Sequence, residues 1–252
     1  MKETLTGERK FFNVGAVFIS IIFAVSIVAV TIFIMPRNKI SVQAATVKKQ
    51  QTEKETGKKT TDKWTTLLQK YEKDRKVNQL IFVKYKGNSK ADFVFYNRKN
   101  GKLAKVFQCA AYVGKNGINK KKEGDKKTPT GIYSFTKAFG IKKNPGSKLK
   151  YIKLNRYYYW SGDKKYYNQM IDIRKVRASR LGEHLIDYKP QYNYALALDY
   201  NKKCVYKKGS AIFLHCTGSN KYTGGCVAVK EKYMKKIMKT VGKNAKICIY
   251  PK

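Results

Sequence analysis

Residues Gly209 to Val229 read GSAIFLHCTGSNKYTGGCVAV. The stretch holds one of the chain's two histidines, His215, and sets Cys226 directly behind two glycines. Ser210 to His215 has the pattern of a strand: small, apolar and aromatic residues ending in a polar one. Cys216 to Tyr222 carries Thr, Gly, Ser, Asn and Lys, which is loop chemistry. Thr223-Gly224-Gly225-Cys226 brings the chain back, and Glu231 to Thr240 spaces Tyr233, Met234, Ile237 and Met238 as the apolar face of a short helix. A hairpin-like return across this stretch sets the thiol of Cys226 beside the imidazole of His215.

Such a pair has a chemical use. A thiol is mostly protonated near neutral pH, and a neighbouring imidazole accepts its proton to leave a thiolate, the form that attacks acyl carbons. Gly224 and Gly225 leave the backbone N–H groups before Cys226 uncovered, which suits a developing oxyanion. Thr223 is placed to orient the loop through its hydroxyl. The competing reading is a buried cysteine and a strand-end histidine that merely pack.

Working outward, period-two patterning begins at Asn78. Leu80 to Val83 and Phe93 to Tyr96 read as strands joined by a turn over Lys86 to Ser89. Asn100-Gly101 is a strong hairpin signal leading into a strand over Lys105 to Val113. Gly114 to Thr130 is a loop, Ile132 to Phe135 resumes a strand, and Ala195 to Leu198 and Lys246 to Tyr250 are two more. Sequential strands with short connections predict an antiparallel, sheet-rich core rather than a βαβ unit. The aromatic-dense middle, Tyr151 to Asp172, either packs a β-domain or lines a groove for an extended peptide.

His215 followed by a loop and Thr223-Gly224-Gly225-Cys226 resembles the signature of the L,D-transpeptidase (YkuD-type) catalytic domain. Tyr112 to Gly117, Glu123-Gly124-Asp125 and Thr128-Pro129-Thr130-Gly131 are similar to an early segment of that family. So are Ala138-Phe139-Gly140, Tyr166-Tyr167-Asn168, Glu183-His184-Leu185 and Gly209 to Ile212 of one subgroup. The likeness runs from about Asn78 to Pro251. It implies a two-step acyl transfer in which Cys226 attacks a carbonyl of a peptidoglycan tetrapeptide stem and His215 carries the proton. A side-chain amine of a neighbouring stem then forms a cross-link; water instead makes the domain a carboxypeptidase. The resemblance also sets Asn168 and Tyr167 near the cleft, and His184 is either structural or a second polar wall. Two features depart from the family. Gly224 stands where many members carry His, and Val227-Ala228-Val229 replaces the Arg or Asn that follows the cysteine, so the substrate-carboxylate contact of that Arg has no counterpart.

The N-terminal part bears on the compartment. No charged residue occurs from Phe11 to Pro36, and Val14 to Met35 is almost wholly apolar. At ~1.5 Å rise per residue such a run spans the roughly 30 Å hydrocarbon core. An uncleaved anchor is expected over a cleaved signal, because Arg37 and Lys39 separate the run from the small residues at Val42 to Ala44. Ser41 to about Lys63 is polar and reads as a flexible stalk. Trp64 to Lys76 carries Trp64, Leu67, Leu68 and Tyr71 at helical spacing and is expected to pack on the domain edge.

The net charge is +39, from 55 Lys+Arg against 16 Asp+Glu. Lysine dominates, the charge is spread, and no nucleic-acid-binding motif occurs, so anionic wall polymers and lipid headgroups are the expected partners and nucleic acid is not. The odd count of five cysteines leaves Cys226 as the natural free thiol, and Cys216 is expected to face away from the site. Neither metal-ligand spacing nor a cofactor motif is present, so no metal or cofactor is expected. The expected class is mainly β: an antiparallel-rich sandwich or barrel-like domain with a few short helices, preceded by one transmembrane helix and a polar stalk. The expected division is a cytoplasmic tail over 1–12, an anchor over 13–35, stalk and helix over 36–76, and a catalytic domain over 77–252 on the extracellular side. A non-catalytic wall-binding protein is the alternative.

Overall fold

The computed structural model describes residues 62–252. The expected tail, the membrane anchor and most of the stalk lie outside the described residues. Among the described residues no helix is long and apolar enough to cross a membrane.

Helix α1 (Lys63–Lys73) opens on Asp62, whose carboxylate accepts the Thr65 N–H at 3.2 Å. Its buried stripe of Trp64, Leu67 and Tyr71 packs on Leu80, Phe82 and Val94 of β1 (Gln79–Gly87) and β2 (Lys90–Lys99). The alternate residues Ile81 and Val83 face a second core on the other side of the sheet. Strand β1 is covered on both faces, which is why its start is continuously apolar rather than alternating. The two hairpins turn at Asn88-Ser89 and at Asn100-Gly101, all four residues with positive φ, the twist that two-residue connections require. The second hairpin leads into β3 (Lys102–Tyr112).

The remaining strands are β4 (Gly131–Tyr133), β5 (Phe135–Gly140), β6 (Tyr151–Lys153), β7 (Tyr158–Ser161), β8 (Met170–Asp172), β9 (Gly182–His184), β10 (Ala195–Leu198), β11 (Phe213–Cys216) and β12 (Val227–Val229). Helix α2 (Glu231–Thr240) and β13 (Lys246–Pro251) close the chain. Ten strands form one sheet in the order β4-β13-β1-β2-β3-β12-β11-β10-β5-β6, and β8-β7-β9 form a small second one. Met234, Ile237 and Met238 of α2 share one core with residues from both halves of the large sheet, Ile81 and Phe93 on one side and Leu196 and Leu214 on the other. The large sheet therefore curls around α2.

The mainly β class holds, with few helices, but the sheet is mixed. Strand β1 pairs with β13 in parallel, β5 with β6, and β11 with β12. The last of these corrects the expected hairpin return: Leu214 aligns with Val227 and both strands run the same way. A loop of ten residues suffices for this crossover because the two strands are only four and three residues long. The expected strand over Ser210 to His215 also begins later, at Phe213, because Ala211 adopts φ +54 and breaks the extended backbone.

Along β5, β10, β11 and β12 the side chains alternate between two layers. Ala138, Leu196, Leu214 and Val227 enter the α2 core, while Phe139, Ala195, Phe213 and Cys226 pack with Trp160 and Leu185 in the layer beneath the small sheet. The aromatic middle of the chain builds that cover. Ile237 is fully buried inside the curled sheet, so Ile237→Ala is expected to cost about 2–5 kcal/mol in the urea unfolding free energy.

Candidate active site

Cys226 and His215 both line one cavity of about 720 Å³, which lies in that second layer. Cys226 immediately precedes β12 and His215 lies on β11, its parallel neighbour, so the pair shares a sheet face. Cys216, the next residue, points the other way into the α2 core, its thiol toward the Tyr194 carbonyl at 3.6 Å. All five cysteines are free.

The loop before Cys226 is held from several directions. Thr223 Oγ1 accepts the Gly225 N–H at 3.1 Å and donates to the Cys226 carbonyl at 2.7 Å. Thr128 Oγ1 donates to the same carbonyl at 3.1 Å and accepts the Gly114 N–H at 2.8 Å. Thr223 N–H donates to Val113 O and Lys115 N–H to Thr223 O, each at 2.9 Å. A Cβ on Gly225 would lie 3.0 Å from the Lys127 carbonyl, and its φ is +149, so this position requires glycine. Gly224 faces open space.

The His215 ring nitrogen Nδ1 lies 2.7 Å from the Cys216 carbonyl. A carbonyl only accepts, so Nδ1 carries the proton and Nε2 is left as an acceptor. Burial pulls the imidazole down to about 4, partly opposed by that hydrogen bond. The ring is neutral at neutral pH. The Cys226 thiol donates to the Ala211 carbonyl at 3.1 Å, and its sulfur accepts the Phe213 N–H at 3.3 Å. Burial pushes the thiol well above its ordinary range, and the Glu183 carboxylate adds to the shift. The resting pair is therefore thiol and imidazole, not the ion pair that proximity by itself suggests. The proton points to Ala211 rather than to His215.

The profile of the YkuD L,D-transpeptidase catalytic domain matches residues 78–249. The chain belongs to the YkuD family. No curated protein matches the sequence significantly. Among solved structures, the helical cell shape determining protein Pgp2 from Campylobacter jejuni is 17% identical over 74% of this chain and 55% of its own, with a TM-score of 0.40. Bd1075 of Bdellovibrio bacteriovorus is 18% identical over 69% and 48%, with a TM-score of 0.38. An L,D-transpeptidase (Yku) from Stackebrandtia nassauensis is 12% identical over 69% and 55%, with a TM-score of 0.32. The chain spans about half the length of each of those proteins.

The other residues singled out from the YkuD resemblance divide. Tyr167 lines the cavity, where its hydroxyl donates to Glu123 and accepts the Gly209 N–H at 3.1 Å. Asn168 does not line it. Its Oδ1 accepts from Trp160 Nε1 at 2.9 Å and from Ala211 N–H at 3.1 Å, and its amide donates to the Tyr200 and Asn201 carbonyls. It supports the strained Ala211 whose carbonyl holds the thiol. His184 is also outside the cavity wall: its nitrogens lie 2.8 Å from Asp187 and 2.9 Å from the Arg156 carbonyl, and its ring stacks on Tyr159. The second polar wall is built by its neighbour Glu183 with Tyr192, on the opposite side of β9 from His184 by strand alternation. Glu183 and Thr128 fall in stretches similar to the family, but their roles as wall and clamp, like that of Tyr192, come from contacts with distant segments that no local pattern shows.

Two outcomes follow from this geometry. Gly225→Ala is expected to lower stability by about 1–3 kcal/mol through strain at positive φ, while Gly224→Ala leaves the melting temperature near that of the wild type. The second concerns pH. His215 has a folded pKa near 4 against 6.5 unfolded, so its contribution falls as pH drops from about 6.5 to 4, by roughly 3 kcal/mol. Glu183 is raised to about 7 by burial, so its contribution falls as pH rises from about 4.5 to 7. Urea unfolding between pH 4.5 and 6.5 is expected to show His215→Gln gaining stability toward acid and Glu183→Gln losing it.

Proposed function

We propose that the domain carries out cysteine-dependent acyl transfer on peptidoglycan stem peptides through a thioester on Cys226. The observation that supports this most directly is that Cys226 and His215 stand on one face of two adjacent strands and open into the same cavity. Membership of the YkuD family supports the substrate class. The cavity volume is in the range of sites that enclose small ligands.

In this reading the thiol turns from the Ala211 carbonyl toward His215 Nε2 as the stem enters. Proton transfer accompanies attack, because a thiolate left alone in so buried a site is disfavoured. Sulfur adds to the carbonyl of an L-configured diamino residue. The Gly224 and Cys226 N–H groups are the donors for the oxyanion, since that of Gly225 is engaged by Thr223. The imidazolium returns its proton to the amine of the departing D-residue. A side-chain amine of a second stem resolves the thioester into a cross-link, whereas water would yield a shortened stem and L,D-carboxypeptidase activity.

The compartment belongs to the same proposal. A single anchor over 13–35, behind a tail over 1–12, holds the domain on the cell-wall side, with residues between the anchor and α1 as a polar stalk. The positive charge of the chain suits anionic wall polymers as well as the membrane surface.

The test is intact-mass analysis with a tetrapeptide stem or a carbapenem as acyl donor. The wild type is expected to gain the mass of one acyl group, and Cys226→Ala to gain none while keeping its melting temperature. A wild type that gains no mass, but binds wall polyanions with strong salt dependence, would reduce the domain to a binding module.

A further inference from the structure

One carboxylate of the cavity wall has no part in the mechanism above. Glu183 on β9 lines the cavity, and its Oε2 accepts the Tyr192 hydroxyl at 2.5 Å. Tyr192 in turn lies edge-on to the His215 ring, with 5.5 Å between centroids. Among the described residues no lysine or arginine forms an ion pair with Glu183. The same is true of Glu123 at the rim, which Tyr167 holds. In a chain with 55 basic and 16 acidic residues, Asp92, Asp125, Asp172 and Glu231 have such a partner, whereas Glu183, like the part-buried Glu72 and Asp199, has none; of these three Glu183 is the one that lines the cavity. Of the lysines that reach this cavity, Lys120 is buried and spent on Asp125 at 2.8 Å, and Lys122 and Lys207 are exposed. A partly buried carboxylate on the cavity wall with no lysine or arginine paired to it has its charge available to a cation that enters the cavity.

The second step of the proposed reaction brings one. An aliphatic amine arrives as an ammonium at neutral pH and is repelled by a chain of net charge +39. It must lose one proton to become a nucleophile and another as the amide forms. Buried His215 has one free acceptor for these two protons.

Resting on the acyl-transfer reading, we propose that Glu183 is the receptor for the acceptor ammonium and takes its first proton. The free amine then adds to the thioester carbon and passes its second proton to His215. The C–S bond breaks, and the departing Cys226 sulfur takes that proton back. Thioester and ammonium thus give amide, thiol and one proton, which Glu183 releases to solvent. Burial, which raises Glu183 to about 7, matches its proton affinity to this task at neutral pH. Ammonium binding also neutralises a charge that opposes thiolate formation on Cys226.

The experiment uses the full-length protein, a tetrapeptide stem as donor, and either Nα-acetyl-lysine amide or hydroxylamine, uncharged at the assay pH, as acceptor. The ratio of amide product to hydrolysed acid is read by mass spectrometry per acyl-enzyme formed, so a slower first step does not enter it. Glu183→Gln keeps an oxygen for the Tyr192 hydroxyl. It is expected to lower the ratio about tenfold or more for the lysine acceptor and to leave that for hydroxylamine unchanged. Glu183→Asp, which keeps the charge, is expected to recover part of the loss. An unchanged lysine ratio, or equal losses with both acceptors, would overturn the assignment. Absence of acyl-enzyme in the wild type would instead overturn the acyl-transfer reading beneath it.

Discussion

The carbonyl of Cys226 accepts two hydroxyl hydrogen bonds, from Thr223 at 2.7 Å and from Thr128 at 3.1 Å. Most of the site depends on this convergence. The two threonines lie 95 residues apart in the chain, and each hydroxyl also accepts a backbone N–H, from Gly225 and Gly114 respectively. Every polar atom of the clamp is used, and it is buried, where a hydrogen bond to a fixed partner is strong and an unmade one costly. The backbone of Cys226 is therefore fixed by the fold alone, and what freedom remains belongs to the sulfur.

That freedom has a direction. In the resting site the thiol is given to Ala211, whose own backbone is held in a left-handed conformation by Asn168 beneath it. The imidazole is oriented by the Cys216 carbonyl and kept neutral by burial. Thiol and imidazole are thus each satisfied by backbone groups, an arrangement suited to a neutral pair in a low-dielectric pocket. On the proposed reading the pair stays neutral until a substrate changes what surrounds the sulfur, and Glu183 is a carboxylate on the same cavity wall.

Much of this was legible from residue order. The helix over Glu231 to Thr240 and the strand over Ala195 to Leu198 follow from local periodicity and appear at those residues. The two hairpin turns follow from Asn and Gly at positions that need positive φ. Cys226 and His215 stood out because their chemistry is rare in this chain and closely spaced, and Thr223 because it stands just before the two glycines and Cys226. For other residues the sequence left the role open and the fold chose it. Of the two roles open to His184 it takes the structural one: it shares a tripeptide with the cavity residue Glu183, and strand alternation turns it to Tyr159 and Asp187. Asn168, expected near the cleft, serves it as a bracket for Ala211 rather than by lining the cavity.

Residue order by itself determined which side chains carry reactive chemistry and which faces of each strand are apolar, because both are properties of a residue and its near neighbours. It could not determine that β11 and β12 run parallel, that β13 inserts beside β1, or that Tyr192 bridges Glu183 and His215. Strand partners and cavity walls are chosen by the burial of surfaces far apart in the chain. A periodic pattern says that a face must be covered without saying by what. The state of the Cys226–His215 pair was decided the same way. An imidazole near a thiol reads as a base in sequence, and only the tertiary cover that desolvates both makes the resting pair neutral.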